Sequence, residues 1–149
     1  MSRTLLTTLV VLLAFFVIAD SWYLYESAVT DTALICDIGE ALDGCNIVAQ
    51  SEYSKLFGQP LALYGLVFFA LMFVLGGAVS VWKSRLLYQA LLGLSALSAL
   101  ASVAFLYIQF VLIKALCIYC IGSALAAFLL LWVSWALWKR SKAPAIPAM

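Results

Sequence analysis

The strong nucleophiles of this chain are four cysteines, Cys36, Cys45, Cys117 and Cys120, and no histidine stands beside them because the chain has none. That absence removes the usual general base, the commonest metal ligand and the Ser-His and Cys-His catalytic pairs at once. What remains is thiol chemistry, in which a thiolate attacks a reachable disulfide sulfur. Cys117-Ile118-Tyr119-Cys120 is a Cys-x-x-Cys motif at the head of an apolar run. On the first turn of a helix, the unpaired backbone N–H groups and the helix dipole favour thiolate over thiol. Lys114, just upstream, either adds positive potential or snorkels at a membrane interface. Cys36 and Cys45, with eight residues between them, fall in the long polar segment of the chain.

The elements that must position these sulfurs are membrane helices. Of the 149 residues, 67% are hydrophobic and only 10% are charged, far from the balance of a water-soluble domain. Four stretches, near 5–25, 61–82, 86–112 and 116–138, reach the roughly 20 helical residues that cross a hydrocarbon layer about 30 Å thick. Backbone hydrogen bonds must be satisfied internally in lipid, so the fold class is all-α, a four-helix transmembrane bundle spanning 1–142. The outer loop 26–60 is the long connection, and 143–149 reads as a disordered tail. A cleaved signal peptide is the alternative for the first run, which is long and lacks an A-x-A site. The net charge of +1, with no basic cluster among aromatics, points away from nucleic acid.

Charge sorts by side. Arg3, Lys83, Arg85, Lys139, Arg140 and Lys142 share one face of the expected bundle, whereas Lys55 and Lys114 lie on the other. The positive-inside rule then puts both termini in the cytoplasm and all four cysteines outside, on the oxidising side of a bacterial inner membrane or the lumenal side of an ER membrane. Trp22, Tyr23, Tyr25, Tyr107 and Tyr119 mark the outer interface, and Trp82, Tyr88, Trp135 and Trp138 the inner. Ser95, Ser98, Ala99 and Ser102 form a small-residue stripe that lets a neighbouring helix approach.

In this frame Cys117 sits near the interface and Cys120 one turn deeper, within reach of a lipid-soluble acceptor. The loop pair is open to soluble proteins. The segment 46–57 reads as a short interfacial half-helix, broken by Gly58-Gln59-Pro60, which lies across the bundle mouth and brings Cys45 over Cys117. Ser51 either faces a quinone carbonyl or is a capping serine. Two other readings use the same cysteines. A zinc site needs all four sulfurs to converge, and only one pair has zinc-like spacing, so no metal is expected. Two static disulfides suit an oxidising compartment, though a bridge across one helical turn adds little to a bundle already held by its helices.

The order Cys36, Cys45, Ser51, Gly58-x-Pro60 entering the second span, and Cys117-Ile118-Tyr119-Cys120 opening the last resembles the bacterial branch of the vitamin K epoxide reductase family over nearly the whole chain. The unrelated disulfide bond formation protein B carries its pairs in the reverse order. The resemblance implies a quinone-dependent thiol–disulfide oxidoreductase, a single-domain member without a fused thioredoxin-like domain, whose thioredoxin-like or DsbA-like partner is a separate soluble oxidase. It implies that Cys36 and Cys45 are the shuttle pair, that Cys117 and Cys120 reduce the quinone, and that Cys45 and Cys117 form the transient bridge between pairs. It implies a quinone of the ubiquinone, menaquinone or vitamin K type as electron acceptor, with Ser51 in its pocket, and disulfide generation as the outcome. Vertebrate members bind quinone through a tyrosine four residues after the motif, where this chain has Ala124. Reduction of a quinone epoxide as the main task, or a non-catalytic membrane protein with static disulfides, are the alternatives.

Overall fold

The computed structural model describes residues 2–36 and 44–142. The expected disordered tail, 143–149, and loop positions 37–43 lie outside the described residues. Among the described residues, four helices are long and apolar enough to cross a membrane, at Arg3–Thr30, Leu61–Val81, Arg85–Ile113 and Ile118–Ser141, with mean hydropathy from 2.0 to 2.3. The protein is an all-α, multi-pass membrane bundle. Helix α1 (Arg3–Thr30) starts on Ser2, whose hydroxyl accepts the Leu5 N–H at 3.1 Å, and ends at Asp31 in the left-handed conformation. Helix α2 (Cys45–Gln50) lies in the long loop, followed by a single 3-10 turn at Glu52–Ser54. Strands β1 (Lys55–Leu56) and β2 (Gln59–Pro60) pair antiparallel around Phe57 and Gly58. Both of those residues have positive φ, 51° and 81°, as the tight hairpin turn that matches strand twist requires.

Helix α3 (Leu61–Val81) descends from this hairpin, α4 (Arg85–Tyr107) returns, and α5 (Ile118–Lys142) closes the bundle. Helix α1 packs against α3 and α5, and α4 packs against α5. The interior is built by helical spacing: Leu6, Val10, Ala14 and Val17 on α1 meet Met72 and Val79 on α3, Leu91 on α4, and Ala126, Leu130, Val133 and Leu137 on α5. Lipid tails are as apolar as these side chains, so close packing and interhelical hydrogen bonds hold the helices together. Gly76 shows how close: a Cβ there would stand 2.8 Å from Val10 Cγ1. The small-residue stripe of α4 is buried at Ser95, Ser98 and Ala99, and Ser95 bonds Ser134 of α5 at 2.9 Å.

The structure departs from the expected elements in two places that matter to the site. The half-helix ends at Gln50 and not near Phe57, because Ser51 turns extended (φ −68°, ψ 156°) and its hydroxyl donates back to the Val48 carbonyl at 2.7 Å. Such local side-chain bonds compete with helix continuation. The third span does not stay α-helical to its end. It widens into a π-helical segment at Ile108–Ile113, capped by Lys114 in the left-handed conformation, a feature that recurs at functional sites.

The two ends of the bundle are tied differently. At one, the Arg3 guanidinium donates to the Arg140 carbonyl at 2.7 Å, joining the first and last helices. At the other, the long loop meets the turn before α5, where Gly44 N–H donates to Leu116 carbonyl oxygen at 3.1 Å. Every cysteine lies at that second end.

Candidate functional site

Cys36 and Cys45 form a disulfide with Cα atoms 6.3 Å apart, while Cys117 and Cys120 are free thiols. All four belong to one packed cluster: Cys36, Cys45 and Cys117 are buried in it with Leu34, and Cys120 packs against it with Tyr23, Leu24, Val48, Ala49, Ile118 and Tyr119. The short helix α2 explains how the loop reaches the helices. Its positions 45, 48 and 49 share one face by the i, i+3, i+4 rule, and that face carries Cys45, Val48 and Ala49 into the sulfur cluster. Gly44 completes the approach. A Cβ on it would stand 2.7 Å from Leu116 N and 2.8 Å from both Ala115 Cβ and Leu116 O, so only glycine lets the loop backbone touch the turn that precedes Cys117.

The chain leading into Cys36 is held by side chains as a partner strand would hold it. Asn46 accepts the Leu34 N–H at 2.8 Å and donates to the Leu34 carbonyl at 3.2 Å. The Tyr23 hydroxyl accepts the Ile35 N–H at 3.2 Å, and the Tyr119 hydroxyl donates to the Ile35 carbonyl at 2.7 Å. The two tyrosine rings lean on each other with centroids 5.2 Å apart. Four backbone groups of an otherwise irregular segment are thereby satisfied, and Cys36 is fixed relative to α1, α2 and α5 at once.

Cys117 is the N-cap of α5. Its carbonyl accepts the Ile121 N–H at 3.0 Å, and its sulfur receives the Cys120 N–H at 3.4 Å, the position a serine or aspartate oxygen takes at other helix starts. The sulfur is held below the ordinary thiol range, first by a hydrogen bond from the Cys120 thiol, against the opposing effect of burial, and then by the backbone N–H groups of Cys120 and Tyr119. The Asp20 carboxyl acts against the thiolate. Lys114 is exposed, and hydrogen bonding at the helix start favours the thiolate. The Cys117 N–H is not orphaned either: it donates to Gln109 Oε1 at 3.2 Å, and Gln109, 3% exposed, also meets the Cys120 side chain. The π-helical turn is what swings Gln109 under the motif.

Ser51 stands apart from the sulfurs. Positions 47, 50 and 51 form the other face of α2 and its end, and Ile47, Gln50 and Ser51 line an open cleft of about 460 Å³ together with Glu52, Tyr53, Leu112 and Ile113. The structure thus brings the four cysteines together and leaves Ser51 on the far side of the short helix, its single proton committed to Val48. Two polar residues that sequence reasoning did not single out belong to the site. Gln109 and Asp20 each interrupt an apolar run, and a polar group inside a membrane span is the signal that marks them. Asp20, on α1, accepts a hydrogen bond from the Ser123 hydroxyl of α5. Gly44 and Asn46 carried no such signal, being ordinary loop residue types beside a cysteine.

Among the described residues no group of three or more His, Cys, Asp or Glu is placed to hold a metal ion. What the arrangement can do is thiol exchange between a bridged pair and a free pair within one buried cluster. The family described as "Vitamin K epoxide reductase family" has a model that matches residues 5–135. No curated protein matches the chain significantly.

Proposed function

Since the chain belongs to the vitamin K epoxide reductase family, and is by that membership a membrane oxidoreductase working through cysteines and a quinone, we propose that it oxidises a soluble thioredoxin-like or DsbA-like partner and so generates disulfides. The observation that carries this reading is the single cluster in which a Cys36–Cys45 bridge abuts free Cys117 and Cys120. A partner thiolate attacks the Cys36–Cys45 bridge; the resulting mixed disulfide is resolved by the partner's second thiol, leaving the partner oxidised and Cys36 and Cys45 reduced. Cys45 then attacks Cys117 of an oxidised Cys117–Cys120 pair, releasing the Cys120 thiolate, and Cys36 resolves the Cys45–Cys117 bridge. The Gly44–Leu116 backbone bond supports Cys45 and Cys117 as the sulfurs that meet. This sequence ends in the redox arrangement described above, with the helix pair reduced and the loop pair bridged.

The quinone, as second substrate, takes up two electrons and two protons when bound. Half-buried Cys120, with the Gln109 amide beside it, suits a flat acceptor carrying carbonyl oxygens. Cys117, whose thiolate the hydrogen bonds at the start of α5 favour, closes the bridge on Cys120 when the electrons leave. The cleft between α2 and the π-helical end of α4, with Ile47, Leu112 and Ile113 as apolar walls and Ser51 at its rim, is the route by which we place quinone approach. We place the protein in a bacterial inner membrane with both termini cytoplasmic, a placement supported by Arg3, Arg140, Lys83 and Arg85 at the end of the bundle opposite the cysteines.

The test is direct. Purified protein in detergent, given a reduced thioredoxin-like partner and a short-chain quinone, should produce partner disulfide and quinol in equal amounts. Oxidation of neither partner nor thiols over hours would sink the reading.

A further inference from the structure

Closing the Cys117–Cys120 bridge breaks two S–H bonds, makes one S–S bond and releases two electrons and two protons. The electrons have an acceptor in the quinone, but the chain has no histidine to move a proton. Asp20 is the acidic side chain built into the apolar body of the bundle beside the motif. It lies on α1 and accepts the Ser123 hydroxyl of α5, and Ser123 stands three residues, about one turn, after Cys120, on the same helix face. The carboxyl interacts electrostatically with Cys117, Tyr119 and Cys120, the titratable groups facing it from α5 and the turn before it. From α3 the neighbouring α1 residue, Ser21, is met by Gly65, where an added Cβ would stand 3.1 Å from the Ser21 hydroxyl oxygen. Burial and the Ser123 hydroxyl are what act on it, with no cation among the described residues. A carboxyl without a counter-charge in a membrane span is costly, and such groups mark proton paths.

We propose that Asp20, coupled to α5 through Ser123, takes the proton released as the Cys117–Cys120 pair is oxidised and returns it as the quinone becomes quinol. The inference rests on the quinone-linked reading above and adds to it the residue that handles the proton. The carboxylate receives one thiol proton while both electrons leave the sulfurs, and it is regenerated when that proton reaches a quinone oxygen; the second thiol proton follows to the other oxygen, so protons balance without uptake from solvent. The same carboxylate disfavours the Cys117 thiolate while it stays charged. Neutralising Asp20 therefore has two opposite effects, which no merely structural role produces.

Asp20→Asn keeps the shape and still accepts the Ser123 bond. In single-turnover oxidation of the reduced protein by a short-chain ubiquinone at neutral pH, it should slow closure of the Cys117–Cys120 bridge by about 100-fold, in the range general acid–base groups contribute. The loss should shrink as pH rises and hydroxide replaces the carboxylate, and Asp20→Glu should recover most of the rate. In a background that keeps Cys117 and has serine at the other three cysteines, Asp20→Asn should instead accelerate alkylation of Cys117 by iodoacetamide at neutral pH. Wild-type bridge closure in Asp20→Asn, an equal loss at every pH, or slower alkylation would each overturn the proposal. If the unsubstituted protein is itself inert to quinone, the quinone-linked reading falls and takes this one with it; an active parent with an unaffected variant overturns the role of Asp20 alone.

Discussion

The Gly44 N–H donates to the Leu116 carbonyl at 3.1 Å, and this bond sets the residues that follow each of them, Cys45 and Cys117, against one another in the same buried cluster. A methyl group at position 44 has no room, with Leu116 N only 2.7 Å from its ideal place. Gly44→Ala should cost about 1–3 kcal/mol through overpacking and separate the two sulfurs. Turnover with a reduced partner should fall at least about tenfold, the factor that 1.4 kcal/mol corresponds to. Gly77→Ala, where nothing stands within 4 Å of the added Cβ, is the matched control and should raise stability by up to about 1 kcal/mol, as alanine does in a helix interior.

The relay proposed above predicts a species visible on a gel. Cys36→Ala removes the thiol that resolves the Cys45–Cys117 bridge, so that species should accumulate and run as a distinct band under non-reducing conditions. Adding Cys117→Ala should abolish it. Wild-type turnover in both Cys36→Ala and Cys45→Ala would mean instead that the partner engages Cys117 and Cys120 without the loop pair.

Hydrogen bonds at the start of α5 hold Cys117 below the ordinary thiol range, and only the thiolate is alkylated. The alkylation rate therefore climbs with pH while the thiol is mostly protonated and levels off once pH passes its pKa. For Cys117 in the background lacking the other cysteines, the plateau should begin at lower pH than for a free thiol of pKa about 8.5. Replacing Cys120 by serine preserves a hydrogen-bond donor there, so the test keeps the first cause of the shift. A midpoint at or above the free-thiol value contradicts the capping geometry.

Asn46 serves both polar groups of Leu34. Asn46→Ala leaves a backbone N–H and C=O beside a buried residue without partners, at a cost of about 1–3 kcal/mol, and should loosen Cys36 from the cluster. Tyr119→Phe gives up one bond, to the exposed Ile35, and should cost about 0.5–1.5 kcal/mol. Thermal unfolding in detergent ranks the two, and the Asn46 variant should also show faster reduction of Cys36–Cys45 by a small thiol such as dithiothreitol.

Ser51 lies at the rim of the cleft and away from the sulfurs. If quinone passes there, Ser51→Ala should raise KM for quinone several-fold while leaving kcat within about twofold, the pattern of lost uniform binding. An equal fall in kcat and kcat/KM would place Ser51 at the reacting ring.

The spans could be read from the sequence because four long apolar runs have one solution in lipid, and the motif because its spacing puts both sulfurs on one helical turn. What stayed hidden depends on contacts between distant segments. Residues 44 and 116, or 34 and 46, have no relation in the sequence that composition or periodicity reveals. The end of the half-helix turned on one serine preferring its own Val48 carbonyl, and the π-helical turn that aims Gln109 leaves the same apolar pattern as an ordinary α-helix. Asp20 and Ser123 each look like minor polar interruptions; their pairing depends on how α1 and α5 are rotated against each other.

Cys117 caps α5, and the relay proposed above also makes it a nucleophile; the two duties conflict. Whenever its sulfur is tied into a bridge it becomes a poorer acceptor, and the first turn of α5 loses the group that satisfies its amides. Each catalytic cycle should therefore fray and re-form the top of the last helix, so that deuterium uptake at the Cys120 amide rises on oxidation and falls on reduction. The backbone keeps a record of the electrons, readable without any dye, partner or quinone.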